Sequence, residues 1–266
     1  MKRISLNFIK VILALYVVLS IVLYFYQEKL IFLPQKLEKT HHFNFSQEFE
    51  ELNFKTNDDK LINGLLFKSE QSKGLIFYLH GNAGSLNSWG NIAKTYTDLN
   101  YDIFILDYRG YGKSEGTIIS QKQLFEDNQM IYYELLKNYN EENIVIIGYS
   151  IGTGLASKLA SDNNPKQLIL QAPYYSMTDI VQYKFPYSPT FVLKYKLSTY
   201  EYLKKCKMPI TIFHGTNDRV IYYGSSLKLK KEFKEQINFI SLKDEGHNGM
   251  TYNKDYIKEI KKVLDK

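Results

Sequence analysis

A chain of 266 residues, 44% hydrophobic and 23% charged, has the composition of a folded globular domain and not of a disordered segment. Its mean hydropathy of −0.31 excludes a polytopic membrane protein while leaving room for one span. A single cysteine, Cys206, excludes an intrachain disulfide framework and cysteine-built metal centres, and the net charge of +6 raises the question of a polyanionic partner.

The N-terminus reads Met1-Lys2-Arg3, then turns apolar; within residues 11–26 only Ser20 interrupts the run. Leu6, Phe8 and Ile9 lengthen it, and Lys10 can snorkel toward headgroups. The total reaches the roughly 20 residues that a bilayer crossing needs. Residues 1–26 therefore read as an anchor in contact with membrane lipid. Lys2, Arg3 and Lys10 keep the N-terminus cytoplasmic, so the rest of the chain lies across the membrane. The competing expectation is a cleaved signal peptide and a secreted protein, but the run is long and no small-x-small site follows it.

Residues 27–48 form a connector with a stop at Pro34, and residues 49–266 one α/β domain. ELNFKT and LINGLLFK alternate apolar and polar residues around the turn 57–60, which predicts a hairpin. Six short apolar runs follow: GLIFYLH, YDIFILDY, NIVIIGY, QLILQA, PITIFHG and INFISL. Such runs suit strands buried on both faces. Between them lie helical patterns, one with Leu124, Met130, Ile131 and Leu135 on a single face, one after Gly152, and a last one closing the chain. The expected fold is α/β, with a mainly parallel central sheet and helices on both faces.

Sites in such sheets lie beyond the carboxyl ends of the strands. Gly148-Tyr149-Ser150-Ile151-Gly152 is a G-x-S-x-G motif between a run and a helix, the setting a nucleophile elbow requires. Gly112–Gly116 matches the same pattern, but Ser114 stands in a glycine-rich loop and reads as a surface serine. A serine hydroxyl needs a base, and the base an orienting acid. Two histidines follow Ser150. His247 lies in a loop before the final helix and is the expected base; His214 ends an apolar run and reads as a bracing residue. Asp218 follows the penultimate run and leads as the acid, with Asp179 as runner-up. Asp244 and Glu245 are too near His247 in sequence to reach its far nitrogen. The N–H groups of Ile151 and Asn82 are the expected oxyanion donors, and His80 reads as a loop brace.

HGNAG (80–84), DYRGYGKSEG (107–116), GYSIGTG (148–154), APYYSM (172–177), HGTND (214–218) and GHN (246–248) stand in one order, preceded by YQEKLIFLP (26–34). In these motifs the chain resembles the α/β-hydrolase superfamily and, within it, the Bem46-like group, from about residue 26 onward. The resemblance implies the α/β-hydrolase fold with a short cap, and Ser150, Asp218 and His247 as nucleophile, acid and base. It implies hydrolysis of an ester, thioester or amide, and fixes no substrate. The N-terminus lacks the cysteine cluster of the group's palmitoylated members, so a depalmitoylase role does not carry over.

No P-loop or dinucleotide-binding glycine pattern is present. The lysine clusters at 204–207, 228–231 and 258–262 read as solvated helix faces, so no nucleic-acid partner is expected. Segment 174–205 is rich in Tyr and Phe and reads either as an apolar wall over Ser150 or as ordinary packing. Tyr149 and, from that segment, Tyr174, Tyr175 and Phe185 are the candidate substrate contacts. The sum is a membrane-anchored serine hydrolase of small-to-medium acyl substrates, small-molecule or lipid-like, that needs no metal or cofactor. A peptidase of the same fold and a non-catalytic scaffold are the alternatives.

Overall fold

The computed structural model describes residues 6–265. The charges on Lys2 and Arg3, which carry the topology argument, lie outside that range. Helix α1 (Leu6–Ile31) is long and apolar enough to cross a bilayer. Only Ser20 and Gln27 on it are buried. It runs five residues past the expected end of the anchor, because nothing between Gln27 and Ile31 breaks a helix before Pro34.

Eight strands form the sheet: β1 (Phe49–Lys55), β2 (Leu61–Phe67), β3 (Leu75–Leu79), β4 (Asp102–Leu106), β5 (Ile144–Tyr149), β6 (Gln167–Gln171), β7 (Ile210–Gly215) and β8 (Ile237–Leu242). Their spatial order is β1-β2-β4-β3-β5-β6-β7-β8. The first two form the expected hairpin, with Phe49 opposite Phe67 and Lys55 opposite Leu61. β2 is antiparallel to β4, and every later pairing is parallel. The helices are α2 (Leu86–Trp89), α3 (Ala93–Thr97), α4 (Gln121–Leu135), α5 (Gly152–Asp162), α6 (Met177–Lys184), α7 (Thr199–Leu203), α8 (Gly224–Glu232) and α9 (Lys254–Leu264).

Every residue of β3 to β7 is buried, which explains why those runs are apolar without alternation. Alternate side chains enter two separate cores. Leu75, Phe77 and Leu79 pack with Leu124 and Ile131 of α4 and Leu155 and Leu159 of α5. Ile76 and Tyr78 pack on the other face with Tyr96 of α3 and Tyr256 and Ile260 of α9. There the Tyr96 and Tyr256 hydroxyls meet at 2.7 Å, so their polar tips cost the core little. Arg109 ties the hairpin turn to α4. Its guanidinium donates to both oxygens of Asp58 at 2.7 Å and both of Asp127 at 2.6 and 2.8 Å.

The chain leaving α1 does not wander. Leu33 and Pro34 pair in parallel with Ala83 and Gly84. Gln35 N–H donates to Gly84 O at 3.0 Å, and Leu37 N–H to Gly112 O at 3.0 Å. The exit from the helix is thus sewn onto the loops that follow β3 and β4.

Candidate active site

Ser150 stands between β5 and α5 with a φ of 52°, a left-handed conformation that non-glycine residues rarely adopt. Such strain costs about 1–3 kcal/mol and persists only where neighbours enforce it. Here Ser150 N–H donates to Gln171 O at 2.9 Å, and its carbonyl accepts from Thr153 N–H at 2.9 Å and Thr153 Oγ1 at 2.6 Å. The flanking glycines are steric necessities. A Cβ on Gly148 would sit 2.6 Å from Ala156 Cβ, and one on Gly152 would overlap the Leu79 carbonyl.

His247 Nδ1 donates to Asp218 Oδ2 at 2.6 Å, since an ionised carboxylate can only accept. That leaves Nε2 as the acceptor, 2.9 Å from Ser150 Oγ. Asp218 is buried, and its other oxygen accepts from the N–H groups of Val220 at 2.8 Å and Ile221 at 2.9 Å. Burial by itself would raise its pKa. The hydrogen bonds from His214 and His247 and the Ile221 N–H overcome that and hold the carboxyl well below its usual range. The loops carrying the two residues bind each other, with Asn217 N–H donating to Glu245 O at 2.9 Å. The hydroxyl, imidazole and carboxylate therefore form one line along which a proton can leave the serine.

Among the described residues the N–H groups of Ile151 and Asn82 have no protein partner, and both residues border the cavity in front of Ser150. The Asn82 side chain is fixed. Its Oδ1 accepts from Leu33 N–H at 3.0 Å and from Tyr111 Oη at 2.9 Å. His80 is buried between Tyr108 and Trp89, with Nδ1 2.6 Å from Gly81 O. Burial raises the pKa of Asp107 beside it, whose two oxygens accept from Leu86 N–H at 3.0 and 3.1 Å.

Other expectations are corrected. Ser114 is not a surface serine. It is buried, donates to Asp107 O at 2.7 Å and accepts from Asn63 N–H at 2.9 Å. Asp179 turns away from His247 and accepts from Tyr222 Oη at 2.5 Å and from Lys228. Tyr149 does not line the cavity over Ser150; its hydroxyl donates to the His247 carbonyl and so braces the His247 loop. Tyr175 is also outside the cavity, stacked on Tyr200 at 4.4 Å and bonded to Glu232 at 2.7 Å. Tyr174 and Phe185 do line it. Tyr174 is fully buried and donates to Ile151 O at 2.9 Å. Cys206 is buried, and burial pushes its thiol up to about 12.

The cavity measures about 340 Å³ and is mostly apolar. Met177, Ile180, Val181 and Phe185 from α6 and its end form one part of it, with Val192 from the turn Thr190–Val192. Segment 174–205 thus divides: most of its lining residues fall between Met177 and Leu193, while Leu203 of α7 is buried in the core beside α5. The part unforeseen in the sequence is α1 itself, whose Leu23, Gln27, Leu30 and Ile31 also line the cavity. Their spacing of four, three and one marks one helix face. An apolar residue at nearly every other position of the helix hides that face from a pattern search.

The family model described as Serine aminopeptidase, S33 matches residues 70–202, half of the chain. Protein bem46 of Schizosaccharomyces pombe is 30% identical over 189 residues, covering 66% of this chain and 63% of that protein. Human alpha/beta hydrolase domain-containing protein 17B is 28% identical over 202 residues, covering 74% and 68%. A solved esterase of Pyrococcus furiosus superposes with a TM-score of 0.70 at 18% identity, covering 88% of this chain and 97% of its own. With an eight-stranded sheet of this order, a serine at the strand–helix elbow and these relatives, the chain belongs to the α/β-hydrolase superfamily.

Proposed function

We propose that the protein is a membrane-anchored serine hydrolase of small-to-medium acyl esters or thioesters. The observation that carries this reading is the unbroken line Ser150 Oγ–His247–Asp218 at 2.9 and 2.6 Å, facing an apolar cavity. Ser150 attacks the acyl carbonyl while His247 Nε2 takes its proton. The N–H groups of Ile151 and Asn82 receive the developing oxyanion, each donor being worth about a hundredfold to a thousandfold in turnover. His247 passes the proton to the leaving oxygen or sulfur, and water then releases the acyl group by the same steps. Asp218 holds the imidazole tautomer throughout. A cavity of about 340 Å³ stands at the small end of ligand sites, which favours short acyl groups.

An aminopeptidase reading draws on the family description. It requires an anion for the substrate's free ammonium group. Among the described residues the only charged side chain lining the cavity is Lys184, a cation, and this favours the ester reading. The α1 helix supports the anchor by its length and its exposed apolar surface. Fluorophosphonate labelling tests the reading: wild type should be labelled and Ser150→Ala not at all. Equal labelling of both would remove Ser150 from the nucleophile's role.

A further inference from the structure

Leu23, Gln27, Leu30 and Ile31 close the Ser150 cavity together with α6. That wall is fastened. The Gln27 amide donates to Val192 O at 3.2 Å and accepts from Lys194 N–H at 2.8 Å, although the residues are more than 160 positions apart. Next to it Glu28 accepts from Lys194 Nζ at 2.6 Å and Tyr195 Oη at 3.1 Å. Gln27 is 3% exposed on a helix that is otherwise almost wholly exposed. A polar side chain buried there and fully bonded gives the helix one rotation and one depth against segment 174–205, the cap. The apolar residues at positions 23 and 31, one turn to either side of Gln27, thereby stand at a fixed distance from the serine.

We propose that α1 is the specificity wall of this site, with Leu23, Leu30 and Ile31 setting the length of the acyl group that the cavity accepts. The inference rests on the hydrolase reading above and adds a role to a helix that would otherwise serve only as an anchor. An acyl group long enough to reach the wall gains apolar contact with it, worth about fourfold in rate per buried methylene. An acetyl group stays near Ser150 and gains none.

The test uses the full chain in detergent micelles, with ethyl and octyl fluorophosphonates as probes, followed by esters from acetate to octanoate. Leu23→Trp and Ile31→Trp should lower the octyl-to-ethyl ratio of labelling rates at least tenfold. Val18→Trp, on the opposite face of α1, should keep the wild-type ratio. Should the tryptophan variants misfold, Leu23→Ala and Ile31→Ala should shift the preferred ester toward longer chains. A ratio unchanged in all wall variants, or one that Val18→Trp alters equally, overturns the wall. Failure of wild type to label with either probe overturns the hydrolase reading, and the wall with it; labelling with an invariant ratio overturns the wall alone.

Discussion

Asp218 carries two histidines on one oxygen. His247 Nδ1 lies 2.6 Å and His214 Nε2 3.2 Å from Oδ2. Only His247 continues to Ser150; His214 is fully buried, with Nδ1 2.6 Å from Ser226 Oγ, and stiffens the acid from behind. The sequence separated the two by setting, since one ends a strand and the other sits in a loop. It could not place them on one carboxylate, because strand neighbours say nothing of which loops meet above a sheet. The depressed pKa of Asp218 has a consequence for stability. A carboxyl held low in the fold contributes fully above its unfolded value of about 3.9 and loses that contribution as pH falls through the folded value. Asp218→Asn should therefore lower the unfolding midpoint at neutral pH and flatten its decline below about pH 4. It should also cut turnover by a factor of about 10⁴, by freeing the imidazole to take the wrong tautomer. Midpoints from pH 3 to 7 and initial rates at pH 7 check this, and an acid decline as steep as wild type would contradict it.

At the scale of elements, the strands were legible because the β3–β7 ribbons are buried on both faces and leave no choice of residue type. The hairpin declared itself by alternation. The two-residue ladder of 33–34 with 83–84, and the division of 174–205 into a wall and a packing helix, were not legible. Both are set by contacts between distant segments, which leave no local period in the chain. The β5–α5 elbow shows what the glycines contribute. Gly152→Ala forces a Cβ into the Leu79 carbonyl, a backbone atom that cannot swing aside. Overpacking of this kind costs about 1–3 kcal/mol or more, so the melting temperature should fall by several degrees and labelling of Ser150 should slow. Gly246→Ala provides the contrast. Nothing lies within 4 Å of the added carbon, and the variant should melt with wild type. Thermal melts of the pair, with equal losses in both, would discount the steric account.

At the scale of the whole molecule, the positive charge is dispersed. Lys204 pairs with Glu232 at 3.3 Å, Lys228 with Asp179, and Lys262 with Glu259 at 2.5 Å. Lys230 caps the carbonyls of Lys234 and Ile237, both at 2.6 Å. Most of the aromatic rings are buried in the two cores, but a few are gathered at the surface. Tyr183, Phe185, Tyr187 and Phe191 are 60–92% exposed on segment 174–205, whose turn Thr190–Val192 touches α1. Rings in that position suit the headgroup level of a bilayer. With the protein reconstituted in vesicles, a tryptophan at Phe191→Trp should be quenched by brominated lipid, and one at Tyr133→Trp on α4 should not. Equal quenching at both positions would deny the cap a membrane-facing side. A hydrolase on a flexible leash sweeps a volume that grows with the leash. Here the leash is missing: from Gln27 to Leu37 the chain is bonded to the cap, to the Asn82 loop and to Gly112. On the proposed anchoring of α1 in a bilayer, Ser150 would ride at one height and one attitude above the lipid. For the anchored ester hydrolase proposed above, choice among substrates would then begin before any pocket is filled, with how far from the surface each one holds its carbonyl.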